Sequence, residues 1–205
     1  MRHLFLGLAL TCTCAIAQMG ENNNLADPNL IEMDALQSLP HMSEELSSEI
    51  VEGRPYLSAA DLDGVLSVSL DESQRQDIYG KMFRQIDLNS APDEEIMLIP
   101  GMSSRMAHEF EEYRPYTSLD QFRREIGKYV SEDEVARFEQ YIFIPMNLND
   151  ALLEYFAGIP GMTSRMVHEF EEYRPYRNME QFRREIGKYV DEDEVARLGS
   201  YVTLD

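Results

Sequence analysis

The chain has 205 residues, 43% hydrophobic and 27% charged, and a formal net charge of −20 at pH 7. That composition belongs to a folded chain, with room for one or two ordinary domains or a short array of small ones. The acidic balance lacks the basic face of an electrostatic nucleic-acid binder and repels anionic membranes.

Arg2 and His3 precede an apolar run from Leu4 to Leu10, and Ala15-Ile16-Ala17 has the small-x-small pattern of a cleavage site. Residues 1–17 therefore read as a secretory signal peptide. Cys12 and Cys14 lie near that site, but the residues before them lack the small-small ending of a lipoprotein signal. Both cysteines leave with the signal. The mature chain then excludes disulfide stapling, thiol catalysis, Cys-ligated zinc and Cys-Cys-His haem attachment. No later segment holds the roughly 18 apolar residues that span a membrane. The expected product is soluble and exported: periplasmic where the host has two membranes, lumenal or extracellular otherwise.

Self-similarity dominates the remainder. Pro40, Pro100 and Pro160 stand 60 residues apart, and 31 of the 38 positions in 100–137 are identical in 160–197. Residues 27–86 share the period but few identities, keeping Pro40, Met42, Ser43, Arg54-Pro55-Tyr56 and Ser58. We set a polar leader at 18–26, a degenerate unit at 27–86, and two close copies at 87–146 and 147–205, with net charges of −8, −7 and −5. None is a basic module hidden in an acidic chain.

Each unit reads as four short helices. In the second unit the first helix follows Leu88-Asn89-Ser90-Ala91, with Asn89 or Ser90 as N-cap and Pro92 in the first turn. It ends at the tight turn Pro100-Gly101. The second helix carries Met102, Met106, Phe110 and Tyr113 as one apolar stripe. Met162, Met166, Phe170 and Tyr173 match it, as do Met42, Leu46 and Ile50 before Gly53. Arg114-Pro115-Tyr116 stops this helix, since proline disfavours helical geometry in the residue before it. Capping boxes at Ser118 with Gln121 and at Asn178 with Gln181 start the third helix, with Leu119, Phe122 and Ile126 as its buried face. Boxes at Ser131 with Glu134, Asp191 with Glu194 and Asp71 with Gln74 start a fourth, carrying Val135, Phe138 and Ile142. Tyr141–Met146 is apolar without Gly or Ser, so neighbouring units are expected to pack, as units of about 60 residues hold only a marginal core. The expected fold class is all-α.

Helix, Pro-Gly hairpin, helix, then Tyr-Arg-Pro-Tyr and a second hairpin-like pair resembles the helix-hairpin-helix superfamily. The run from Asp87 to Arg105 is similar to the ComEA family of exported competence proteins. Ile86–Asn89, the Gly101-Met102 turn, Pro115-Tyr116 with Ser118, and the ending Tyr201-Val202-Thr203 resemble the PsbU family of extrinsic photosystem II subunits. The first resemblance implies DNA binding and the second implies protein binding. Either one points to the hairpins: Pro100, Gly101, Met102, Ser103 and Arg105, with Pro160, Gly161, Met162, Thr163 and Arg165. A turn before a helix start aims backbone N–H groups outward, where they can hold an anion. DNA-binding members carry a second glycine where this chain has Ser43, Ser103 and Thr163, and His41 replaces the first glycine of the first unit. Arg105 and Arg165 stand where those families have a phosphate-contacting lysine, and Glu45 reverses that charge.

Arg105 and Arg165 also suit a plainer role as i,i+4 partners of Glu109 and Glu169, favoured because each helix continues into further glutamates. The basic clusters Arg123, Arg124, Lys128 and Arg183, Arg184, Lys188 suit pairing with neighbouring acids or an acidic partner. His108 and His168 have no HExxH frame, so exposed helix histidines are expected rather than a metal site. Met102, Met106, Met162 and Met166 lie on the core stripe rather than in a copper site. Glu132-Asp133-Glu134 and its copy at 192–194 lack the alternating ligands of a calcium loop. No catalytic grouping, phosphate loop or cofactor motif emerges. The expectation is an exported, non-enzymatic, cofactor-free module for protein binding or scaffolding, with ComEA-like DNA binding as the alternative.

Overall fold

Caps and apolar spacing divide the chain into short helices. The computed structural model describes residues 18–20, 22 and 25–205, so the signal-peptide reading of 1–17 lies outside the described residues. Residues 27–86 hold α1 (Met33–Gln37), α2 (Glu44–Glu52), α3 (Ala59–Ser69) and α4 (Glu72–Tyr79). Residues 87–146 hold α5 (Asp93–Ile96), α6 (Ser104–Glu112), α7 (Leu119–Ile126) and α8 (Glu132–Glu139). Residues 147–205 hold α9 (Leu153–Phe156), α10 (Ser164–Glu172), α11 (Met179–Ile186) and α12 (Glu192–Gly199). The protein is mostly helical, and no helix among the described residues is long and apolar enough to cross a membrane.

Among the described residues four two-residue strands complete it: β1 (Ile86–Asp87), β2 (Ile142–Phe143), β3 (Met146–Asn147) and β4 (Val202–Thr203). β1 pairs in parallel with β2, Ile86 opposite Ile142, and β3 with β4, Met146 opposite Val202. Ala26 makes a parallel bridge to Met82. Parallel pairing needs a long crossover, and in each case four helices supply it. Ile142 therefore belongs to a strand rather than to the fourth helix.

Two other local expectations change. Pro92 is the N-cap of α5 without a side-chain cap, and neither Asn89 nor Ser90 caps it. Asn89 is used across the unit: its Nδ2 donates to Tyr116 O at 2.9 Å and its Oδ1 accepts from Tyr116 N at 2.7 Å. Both halves of a capping box form at Ser58 with Asp61 and at Asp71 with Gln74. At Ser118 and Asn178 only the first half forms, because Gln121 and Gln181 accept from the backbone N–H of Thr117 and Arg177 instead.

Aromatic rings fill the second and third units. Phe110 stacks edge-on against Phe122 at 5.1 Å and Phe138 at 5.4 Å, and Phe170 against Phe182 at 5.2 Å. The first unit places Ile50, Leu62 and Ile78 at those positions, all fully buried. The Asn89–Tyr116 clip recurs as Asn29–Tyr56 and Asn149–Tyr176, each with both bonds formed. Beside it Arg114 donates from Nε to Leu88 O and from Nη2 to Ala91 O, both at 2.7 Å. Arg54 and Arg174 do the same to Pro28 and Ile31 and to Leu148 and Ala151. The Arg-Pro-Tyr stretch that follows the end of the second helix is thus also a clamp joining the two halves of each unit.

Contacts also run between units. Glu95 Oε1 on α5 accepts from Ala59 N at the start of α3 at 2.6 Å. Arg84, with no exposed surface, donates to Tyr201 Oη at 2.8 Å, Ser200 Oγ at 2.7 Å, and the carbonyls of Tyr56 and Gln85. Its guanidinium lies 4.2 Å from the Tyr201 ring centroid. The first unit is thereby tied to both of the others.

Candidate binding surface

Gly101 and Gly161 take φ of +72° and +73°, a region that L side chains avoid, so the turn itself explains these glycines. Met102 N then donates to Ile99 O and Met162 N to Ile159 O, each at 2.9 Å, closing the turn. The next residue opens a helix. Ser103 Oγ accepts from Met106 N and Thr163 Oγ1 from Met166 N, both at 3.2 Å, as Ser43 Oγ does from Leu46 N at 3.1 Å. An N-cap hydroxyl satisfies one of the free amides at a helix start. Ser43, Ser103 and Thr163 therefore occupy part of each helix start with the chain's own oxygen.

The turns are also held from behind. Arg137 on α8 donates from Nη1 to Pro100 O at 2.6 Å, and Arg197 on α12 donates to Pro160 O at 2.7 Å. Each guanidinium is also forked on an acid one turn earlier, Glu134 or Glu194. Hydrogen bonds from Arg137 hold the Glu134 carboxyl below its ordinary range, and the same bonds hold Arg137 above its own. In the first unit Asp77 replaces the arginine, and His41, with φ +62°, meets it through Nε2 at 2.9 Å.

The hairpins differ in access. A Cβ on Gly101 would meet only Arg137 Nη2, at 3.6 Å, whereas on Gly161 it would meet Leu30 of the first unit at 3.0 Å. Pro100 and Met102 are half-buried, Ser103 and Arg105 exposed, and Pro160, Met162, Thr163 and Arg165 follow the same pattern. No ion pair joins Arg105 to Glu109 or Arg165 to Glu169. Glu109 and Glu169 are 8% and 7% exposed, and each has an Oε2 without a hydrogen-bond partner. They sit beside the pairs Tyr113–Tyr129 and Tyr173–Tyr189, whose hydroxyls meet at 2.7 and 2.8 Å. Hydrogen bonding to Tyr113, then to Glu109, raises the pKa of Tyr129 above its ordinary value. Arg165 lies over the Tyr189 ring, 5.6 Å from its centroid.

The basic clusters stand apart from the turns. Arg123 pairs with Glu139 and Asp120, Arg124 and Lys128 with Glu125, and Arg184 and Lys188 with Glu185. Bonds from Lys128 and Lys188 hold the Glu125 and Glu185 carboxyls below their ordinary range. His108 and His168 are exposed, each 3.8 Å from a glutamate one turn on. Among the described residues no group of three His, Cys, Asp or Glu side chains gathers as a metal site.

Sequence reasoning overlooked the clasp from Arg137 and Arg197, the Arg84 tie and the burial of Glu109 and Glu169. The clasp was visible in the repeats themselves: the unit that loses the turn glycine also loses the arginine 37 residues after the turn proline. No protein family, curated protein or solved structure matches the chain.

Proposed function

We propose that this chain is an exported, non-enzymatic array of three helix-hairpin-helix units that serves as a protein-binding or scaffolding module in an extracytoplasmic complex. The observation that carries this reading is the internal use of the hairpin's polar groups. The cap hydroxyls of Ser43, Ser103 and Thr163 take helix amides, and Arg137 and Arg197 take the turn carbonyls. A duplex would also face a chain of net charge −20, and phosphate-backbone binding depends on neutralising basic groups. The hairpins then serve as rigid elements that shape a surface for another protein.

One observation favours DNA binding in uptake as a second reading: Gly101 keeps its positive φ and Arg105 is exposed beside it. A salt series of duplex binding separates the two. The scaffold reading expects no tight binding near physiological salt. Tight binding that falls steeply with salt and collapses in the double variant Arg105→Glu, Arg165→Glu overturns it. Recovery of a protein partner from the exported fraction, by wild type and by that variant alike, supports it.

A further inference from the structure

The second and third units differ at one position that changes the chemistry of a groove. Between α7 and α8, Arg123 donates from Nε to Glu139 Oε2 at 2.8 Å and from Nη2 to Glu139 Oε1 at 2.5 Å. Its Nη1 donates to Asp120 Oδ1 at 2.8 Å. Glu139 is only 5% exposed, and the two parallel bonds are the fork by which guanidinium recognises carboxylate. Between α11 and α12 the same groove returns with Arg183, Gly187, Val195 and Ala196 at matching positions. There, however, Gly199 stands where Glu139 stood. The groove is about 570 Å³ in the second unit and about 760 Å³ in the third. Among the described residues Arg183 makes no ion pair and no side-chain hydrogen bond, although its neighbour Arg184 is paired with Glu185.

We propose that the α11–α12 groove is a carboxylate-binding site in which Arg183 receives an Asp or Glu side chain of a partner protein. The ligand takes the place that Glu139 fills within the chain on Arg123. Val190, Val195 and Ala196 line the groove and suit the aliphatic stem of such a side chain. Glu180, Asp191 and Glu192 line it as well, so a polyanion meets like charge there, while one carboxylate gains a short-range bidentate fork. The source of the carboxylate rests on the protein-binding reading; the site itself rests on the comparison of the two grooves.

The test follows the arginine Nε–H signals of the full chain by NMR during titration with N-acetylglutamate, with N-acetylglutamine and inorganic phosphate as controls. The expected result is a saturable shift of the Arg183 signal with N-acetylglutamate, none with N-acetylglutamine, and weaker binding of phosphate. Gly199→Glu should weaken the response by about tenfold or more by filling the seat from within. A Cβ there would lie 3.4 Å from Phe182, so the substitution fits without overlap. Glu139→Gly should create a second responding site at Arg123. A response that does not saturate, that phosphate matches, or that survives Gly199→Glu overturns the proposal. Should the titration fail while an exported partner is still captured, the groove falls and the protein-binding reading stands. A saturable Arg183 shift without any captured partner leaves the site standing and removes that reading.

Discussion

The first unit clasps its turn with the opposite polarity from the other two. In those, an arginine on the last helix donates to the carbonyl of the turn proline, and glycine supplies the positive φ. In the first, Asp77 on α4 takes the arginine's place and His41 at the turn reaches it, at 2.9 Å. What the clasp needs is one donor and one acceptor, on whichever side each lies. The comparison also shows where the first unit carries something new: Arg84, whose counterparts are Ile144 and Leu204, joins Asp27 and Leu30 in tying it to the third.

Arg84 gives the largest expected effect. Arg84→Ala removes a fully buried guanidinium, takes a donor from the Gln85 carbonyl, leaves the Tyr56 carbonyl with Asn29 alone and opens a void, so we expect a loss of about 3–5 kcal/mol, measured by urea unfolding. Arg84→Met keeps the volume and should lose less. Equal losses would mean that the void contributes nothing and that the lost hydrogen bonds carry the whole effect. The clip comes next. Asn89→Ala removes both bonds to Tyr116 and should cost about 2 kcal/mol, with a similar cost for Asn29→Ala if the first unit depends on its clip equally.

Glycine substitutions sharpen the comparison of the turns. Gly101→Ala should cost about 1 kcal/mol from its backbone conformation alone. Gly161→Ala should cost more, because the added Cβ also meets Leu30 at 3.0 Å. Equal values would show that the third turn does not rest on the first unit. The reversed clasp is a smaller effect: His41→Gly relieves the turn backbone but loses the bond to Asp77, and should change stability by less than about 1 kcal/mol. Asp77→Arg in that background should restore a clasp of the other polarity, read as a favourable coupling in a double-mutant cycle.

The smallest effect is in pH dependence. Burial pushes the Glu95 carboxyl above its ordinary range, partly offset by the Ala59 N–H. The fold therefore favours the protonated acid. Its contribution is fully present below the ordinary glutamate value and is lost as pH rises through the raised one. Glu95→Gln keeps an oxygen for Ala59 N and should unfold at equal or higher urea at neutral pH. That advantage should vanish as pH falls below the ordinary carboxylate range. An advantage that grows in acid would contradict the direction of the shift.

Repetition, caps and stripes were legible in the residues because they are local. Ser118 and Ser131 cap helices where spacing placed them, and Phe110, Phe122 and Ile126 are buried as their periodicity requires. Asn89, Gln121 and Ile142 escaped local rules, because each serves a partner distant in the chain or outside its expected element. The candidate site divides the same way. The sequence alone determined that the hairpins lack second glycines and that charge is heavily acidic. Only the tertiary structure decided that Arg137 reaches the turn carbonyl of Pro100, that Glu109 turns inward, and that Arg183 is left without its carboxylate. Each of those depends on which chain segments meet across tens of residues, and hydrogen-bond satisfaction is settled in space rather than along the sequence.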